Sequence, residues 1–415
     1  MSHPLFVGLD VHSQTNRVCL LDQAGESWGR RFSVTNNRPG SQLLIVRLVE
    51  ALRQGEFDSL RLAVEATNWY WFPLFQTLQQ DPVLSQWPVA LFALNPRLIA
   101  RYKETFSDQD QTDDSDAFLI ADRLRMGRAL PEPFQLEAQY LGLRFLTRYR
   151  FHLVKDLVRE KNHCLSILYL KASAYRQDHP FADVFGATSQ ALLQEFATLE
   201  EIAAMPLAEL VIWLDVKGKG RFPDPVKVAR ELQQVSRDSY PLDSQLQQPV
   251  NYVLTWNFQL VTCLERQLQR VNTAIAEAMA QIPHTLDTIP GFGPVYAAGI
   301  IAEIGDVARF DHDETKVAQF AGLHWRTTAS AKFEAEDTHL TKRGNAYLRY
   351  DFCEAANAVR MRDAEYAAFY QRKHDEVPKQ QHRRAVVLTA RKLVRLVVRL
   401  LTTNQPYRPR SVPSG

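Results

Sequence analysis

Leu5-Phe-Val-Gly-Leu-Asp-Val-His12 is an apolar run that closes on an acid, and together with the runs after it this stretch decides how the first third of the chain folds. A second apolar run, Arg17-Val-Cys-Leu-Leu-Asp22, comes straight after it, and a third, Leu60-Arg-Leu-Ala-Val-Glu65, again ends on an acid. These runs predict strands near 5–11, 17–22 and 60–66, with further strands near 28–34 and 88–94 and helices near 40–54, 69–80 and 96–104. Two more acids, Asp113 and Asp116, sit in Thr112-Asp-Asp-Ser-Asp-Ala117 at the start of an expected helix, three residues apart and so on one helical face.

Alternating strands and helices argue for an α/β layer. Acids at strand ends meeting acids on a later helix describe an RNase H-like domain over residues 1–130. A single Asp at a strand end is more often a solvated loop acid than a ligand; the joint order of Asp10, Glu65, Asp113 and Asp116 is what points to a site. Four converging carboxylates repel one another, and a pair of hard divalent cations removes that cost. Two such ions can clamp the attacking and leaving oxygens of a phosphodiester.

The chain has 415 residues with 46% apolar content, enough for two to three domains with separate cores. Cys19, Cys164, Cys263 and Cys353 show no paired spacing, which points to neither a zinc site nor a disulfide framework and suggests a reducing, cytoplasmic setting. No apolar run is long enough for a signal peptide or a membrane span. Net charge is only +2, yet residues 341–415 hold sixteen Lys/Arg against six Asp/Glu, leaving −8 for the remainder. A basic end of that kind suits a polyanion, or simply a solvated helix surface.

Pro131-Glu-Pro133 punctuates the chain, and residues 131–285 are expected to form a helical coiled-coil region. Leu146, Leu153, Leu157, Leu165 and Leu168 make one stripe, and Leu260, Leu264, Leu268, Val271 and Ile275 a second, so two long helices pair within one chain or between two. The stretch between them, near 177–240, reads as a loop-prone insertion carrying a mobile basic loop, Val216-Lys-Gly-Lys-Gly-Arg221. In the mainly helical third region, 286–415, Pro290-Gly-Phe-Gly-Pro-Val295 resembles a helix-hairpin-helix turn, in which Gly291 and Gly293 bring backbone N–H groups to a phosphate; a tight interhelical turn is the plainer reading.

Ser330 is the only serine between Ser244 and Ser411. Lys342, Arg343 and Arg349, in a cationic turn entering a helix, are candidates to grip a phosphate. A hydroxyl near such cations can attack phosphorus and hold a strand covalently, although one serine in a loop is usually only a loop serine.

With these motifs in view, the chain resembles the DEDD-type insertion-sequence transposases of the "IS one-ten" family, relatives of the Piv-type DNA invertases. The likeness runs through Gly8-Leu-Asp10-Val-His12, Val64-Glu65-Ala-Thr67 and Thr112-Asp113 with Asp116-Ala117, then Ile289-Pro-Gly-Phe-Gly293, Ala302-Glu-Ile-Gly-Asp306, Arg309-Phe310, Ala321-Gly-Leu323, Lys342-Arg-Gly-Asn345 and Leu348-Arg349. It departs at Ala331, where the family has Gly after the serine, and at Gln111, where the family has Lys. The resemblance implies a recombinase with two centres: Asp10, Glu65, Asp113 and Asp116 binding magnesium (or manganese), and Ser330 forming a phosphoserine link to DNA. It also implies a structured non-coding bridge RNA that pairs with donor and target DNA, and homodimers joining into a tetramer, with no membrane partner. The alternative is a RuvC-like, structure-specific nuclease without serine chemistry, which leaves the second set of motifs unexplained. A sugar-kinase-like reading lacks the glycine-rich adenosine turns, and a catalytically dead nucleic-acid binder sits poorly with four retained acids.

Overall fold

Side chains alternate along a strand, so β1 (Pro4–Val11) sends Leu5, Val7 and Leu9 to one face and Phe6 to the other. In the computed structural model, which describes residues 3–106, 112–128, 130–135, 137–325, 329–330, 333–334, 340 and 343–409, the chain divides into two units, Met1–Glu137 and Ala138–Gly415. In the first, β1 pairs antiparallel with β2 (Thr15–Leu21), which pairs antiparallel with β3 (Phe32–Thr35). After α1 (Arg38–Gln54), β4 (Ser59–Glu65) runs parallel to β1; after α2 (Phe72–Gln80), β5 (Val89–Leu94) runs parallel to β4. The order is β3-β2-β1-β4-β5. One face packs Leu44, Leu48, Leu52, Leu74 and Phe75 of α1 and α2; the other packs Ile99 of α3 (Pro96–Lys103) and Ile120 and Leu124 of α4 (Asp113–Arg125). A mixed five-stranded sheet in this order, followed by a mostly helical unit, fits the RNase H-like expectation.

The second unit begins with α5 (Ala138–Lys171), which lies antiparallel against α11 (Ser244–Met279) within the same chain. Arg150 donates to Asn272 at 2.8 Å, Lys161 pairs with Glu265 at 2.6 Å and Asn257 meets His163 at 3.1 Å, so partner numbers run in opposite directions. Leu260, expected in the seam, is 44% exposed. The rest of that stripe holds, with Val271 and Ile275 buried and Leu264 and Leu268 packed on the same core, and toward the start of the helix the seam continues through Val261, Phe258 and Leu254.

The insertion is helical rather than loop-prone. It holds α6 (Tyr175–Asp178), α7 (Ala187–Glu195), α8 (Leu199–Ala204), α9 (Leu207–Gly218) and α10 (Pro225–Asp238). Leu192, Leu210, Leu214, Leu232 and Val235 build a core with Leu254 and Phe258, and Thr198 and Asp224 cap the helices they precede. Of these, α7 and α9 leave a weak periodic signal, which is why that part of the insertion reads as loop. The stretch Val216–Arg221, expected as a mobile loop, is the end of α9: Lys219 takes the left-handed cap at φ 54°, and Lys217 pairs with Glu195.

Around the wholly buried stretch of α12 (Pro294–Ile304) pack α13 (Glu314–Phe320), α14 (Ala346–Val359), α15 (Ala364–Asp375) and α16 (Gln381–Thr403). A two-stranded sheet, β6 (Ala329–Ser330) with β7 (Phe333–Glu334), precedes α14. Among the described residues no helix is long and apolar enough to cross a membrane.

Candidate active site

The register of β1 on β4 pairs Gly8 with Ala63 and Leu9 with Val64, so the next residues, Asp10 and Glu65, are acids side by side at the same end of the sheet. Helix α4 brings the other two. It starts at a capping box: the Thr112 hydroxyl accepts from the Ser115 amide at 3.2 Å, and the Ser115 hydroxyl accepts from the Thr112 amide at 2.9 Å. Acids in the first helical turn also suit the positive end of the helix dipole. Gly8 lets this helix sit on the sheet, since a Cβ there would come within 2.1 Å of the Ala117 carbonyl oxygen. Arg17, with Arg31 on the Asp114 carbonyl, ties down the remaining acid of the turn, Asp114.

The four acids fall into two pairs. His12 Nε2 lies 3.1 Å from Asp10 and 3.8 Å from Asp113, and ligand atoms of all three residues are within 4.8 Å of one another. Lys103 Nζ lies 2.8 Å from Asp116 and 3.7 Å from Glu65. Asp10 is only 15% exposed, whereas Asp113 is 70% exposed. Burial holds the Asp10 carboxyl above its usual range, His12 pulls it down, and Asp116 and Asp113 push it up. Glu65 is likewise raised by burial, against the pull of Lys103 and with the push of Asp10 and Asp116. Each of these two acids thus feels the charge of others in the tetrad.

Neither His12 nor Lys103 is among the site residues expected from the sequence. His12 has a signal, since it lies two residues past Asp10 and therefore on the same side of the strand. Lys103 has none in its local pattern. It arrives because Asn95 caps α3 at 2.9 Å, buried Ile99 anchors that helix, and the Tyr102 hydroxyl donates to Asp122 of α4 at 2.6 Å. Burial and the Asp122 carboxylate push the Tyr102 phenol up to about 12, so the donor stays protonated.

A divalent cation fits this donor set. Three ligand atoms lie within 4.8 Å of one another, and raised carboxyls among like charges are what a bound cation relieves.

In the second unit, Glu303 is buried between α5 and α14. Arg148 clasps it bidentately at 2.6 and 2.8 Å, and Asn345, which caps α14 by accepting from Tyr347 and Leu348, donates to it at 2.6 Å. Gly291 has φ 83°, and a Cβ there would meet the Ala358 carbonyl oxygen at 2.7 Å; close packing accounts for it. Gly293 is the N-cap of α12. Arg343 is exposed, while Arg349 turns inward and donates to the Ala321 carbonyl at 3.3 Å. Ser330 pairs through its backbone with Phe333; its side chain, and Lys342 altogether, lie outside the described residues.

Two family models match the chain. One described as "Transposase", of the DEDD type, covers residues 7–171, and one described as "Transposase IS116/IS110/IS902 family" covers residues 283–371. A curated relative, the insertion element IS116 uncharacterized 44.8 kDa protein of Streptomyces clavuligerus, is 26% identical over 322 residues, spanning 75% of this chain and 76% of its own length.

Proposed function

Because the chain belongs to the IS110-type transposases, we propose that it cuts and rejoins DNA of an insertion element through two centres, one in each unit. The observation that carries this reading is the meeting of Asp10, Glu65, Asp113 and Asp116, together with His12, at one end of the first sheet. Asp10, His12 and Asp113 hold a divalent cation, magnesium or manganese. Such an ion supplies charge neutralisation and Lewis acidity to phosphodiester oxygens.

Ser330 is the nucleophile of this proposal. Its oxygen forms a bond to phosphorus as the bond from phosphorus to the departing strand oxygen breaks; the serine proton leaves to a base and the departing oxygen gains one. The phosphoserine conserves the bond energy, so attack by a new strand end reverses the exchange without external energy. The basic residues of 341–415 neutralise backbone phosphates. Site choice rests on a structured non-coding RNA that pairs with donor and target DNA, and the active form is a homo-oligomer, dimers joining as a tetramer, acting in the cytoplasm. Family membership is the support for these last three points.

The test is covalent capture. The protein, RNA transcribed from the flanking element and labelled donor and target DNA are mixed, quenched in denaturant and resolved on a gel. A protein–DNA adduct lost in Ser330→Ala, and lost separately in Asp10→Ala, is expected. Metal-dependent nicking without an adduct, unchanged in Ser330→Ala, would leave a plain nuclease in place of the recombinase.

A further inference from the structure

We propose that Lys103 occupies the place of a second divalent cation, so that the four-acid site holds one ion, on the Asp10–His12–Asp113 side, where two-ion sites of such acids hold a pair. This rests on reading the tetrad as a metal centre.

The geometry that points there is the division of the acids. On one side, ligand atoms of Asp10, His12 and Asp113 lie within 4.8 Å of one another, with the imidazole nitrogen as third donor. On the other side, Glu65 and Asp116 already share a cation: the Lys103 ammonium stands 2.8 Å from Asp116 and 3.7 Å from Glu65. A dication taking these two carboxylates as ligands must expel the ammonium or sit against it, and both are costly where the surroundings screen poorly.

Lys103 is not a loose surface lysine that happened to fold over. Its side chain is 27% exposed, matching the 27% of Asp116 and 22% of Glu65, so the three are sheltered together. It closes α3, a helix fixed at its start by the Asn95 cap, in its middle by fully buried Ile99, and near its end by the Tyr102–Asp122 bond to α4. Asp122 is itself gripped by Arg125 at 2.6 and 2.9 Å. The residue before the lysine is thus bolted to the same helix that carries Asp116. Such support is what a positioning group needs in order to hold its charge within a fraction of an ångström.

A fixed ammonium also has a chemical consequence. Unlike an exchangeable ion it needs no supply from solution, and it offsets one of the two negative charges of Glu65 and Asp116 whether or not DNA is bound. Cation dependence then reports one binding event only.

Counting ions on the full-length protein decides the matter. Mn²⁺ is titrated against wild type, Lys103→Met, Lys103→Arg and Asp10→Asn, following free Mn²⁺ by electron paramagnetic resonance and heat by calorimetry. Relative to Asp10→Asn, wild type should bind about one ion per chain and Lys103→Met about two, the methionine keeping the length of the stem without the charge. Lys103→Arg, which keeps the charge, should stay at about one. Two ions in wild type, or a single ion in Lys103→Met, overturns the proposal while leaving the metal centre standing. Binding that Asp10→Asn does not reduce overturns the metal-centre reading itself, and the lysine proposal with it.

Discussion

Gly8 of β1 and the Ala117 carbonyl of α4 are in backbone contact: a Cβ on Gly8 would lie 2.1 Å from that oxygen and 2.4 Å from the Ala121 amide nitrogen. No rotamer change relieves such a clash, because both neighbours are backbone. Helix α4 must lift off the strand, carrying Asp113 and Asp116 away from Asp10. Gly8→Ala is therefore expected to cost about 1–3 kcal/mol, the usual scale of overpacking, and to weaken divalent-cation binding at least tenfold. Urea denaturation and Mn²⁺ titration check the two effects separately; a variant that loses stability but binds Mn²⁺ normally would detach the glycine from the site.

Asp10 is expected to trade stability for function. Its carboxyl is raised above 3.8, first by burial and then by Asp116 and Asp113, against His12. A folded-state value above the unfolded one means that the native state binds the extra proton. Stability therefore falls as pH rises through the window above 3.8, and the ionised group remains a cost at neutral pH. Asp10→Asn should melt higher than wild type at pH 7 in chelator, and the gap should narrow as pH falls toward the ordinary carboxylate range. Added Mn²⁺ should reverse the order, since only wild type gains from binding. Thermal melts at both pH values, with and without the ion, test the crossing.

Most of the first unit is legible in the sequence because its signals are local. The apolar strands ending in Asp10 and Glu65 and the capped acidic turn at Thr112 each fall where expected, to within a few residues. Lys103 is not legible, since its place depends on how α3 leans on α4 through Tyr102 and Asp122, a relation between residues twenty positions apart. The insertion hides its helices for a related reason. Helices such as α7 and α9 show too weak a stripe to stand out, and their stability comes from packing on Leu254 and Phe258 rather than from their own propensity. Gly291 and Arg349 carry the opposite lesson. Both look suited to phosphate, and both have packing roles that a motif does not reveal.

The Arg148–Glu303 pair ties three helices together. Glu303 is only 2% exposed and takes a bidentate guanidinium from α5 and an amide from the cap of α14. Arg148→Ala leaves a buried carboxylate with only Arg144, at 3.8 Å, as counter-charge and should cost about 3 kcal/mol. Arg148→Met with Glu303→Leu removes both charges and should recover more than half of that loss. Denaturant midpoints of the single and double variants form the cycle; if the double variant is no better than Arg148→Ala alone, the pair is not the source of the cost.

Lys171 provides a pH test far from the acids. Its ammonium is buried beneath α7, donating to the Phe196 carbonyl at 2.7 Å, the Leu193 carbonyl at 3.0 Å and Asn251 Oδ1 at 2.6 Å. Burial pushes the amine down from 10.5 to about 8. Between those values the unfolded chain binds a proton that the native state does not, so stability rises with pH across the window and the gain is lost as pH falls through 8. The swing is at most about 3 kcal/mol, and the three acceptors, which favour the charged form, work to shrink it. Lys171→Met lacks the group and should lack the swing. The stability gap between wild type and Lys171→Met, followed by urea denaturation from about pH 7 to 10, should therefore change in favour of wild type as pH rises. A change in the opposite direction would mean that the carbonyl cage outweighs burial and holds the ammonium charged.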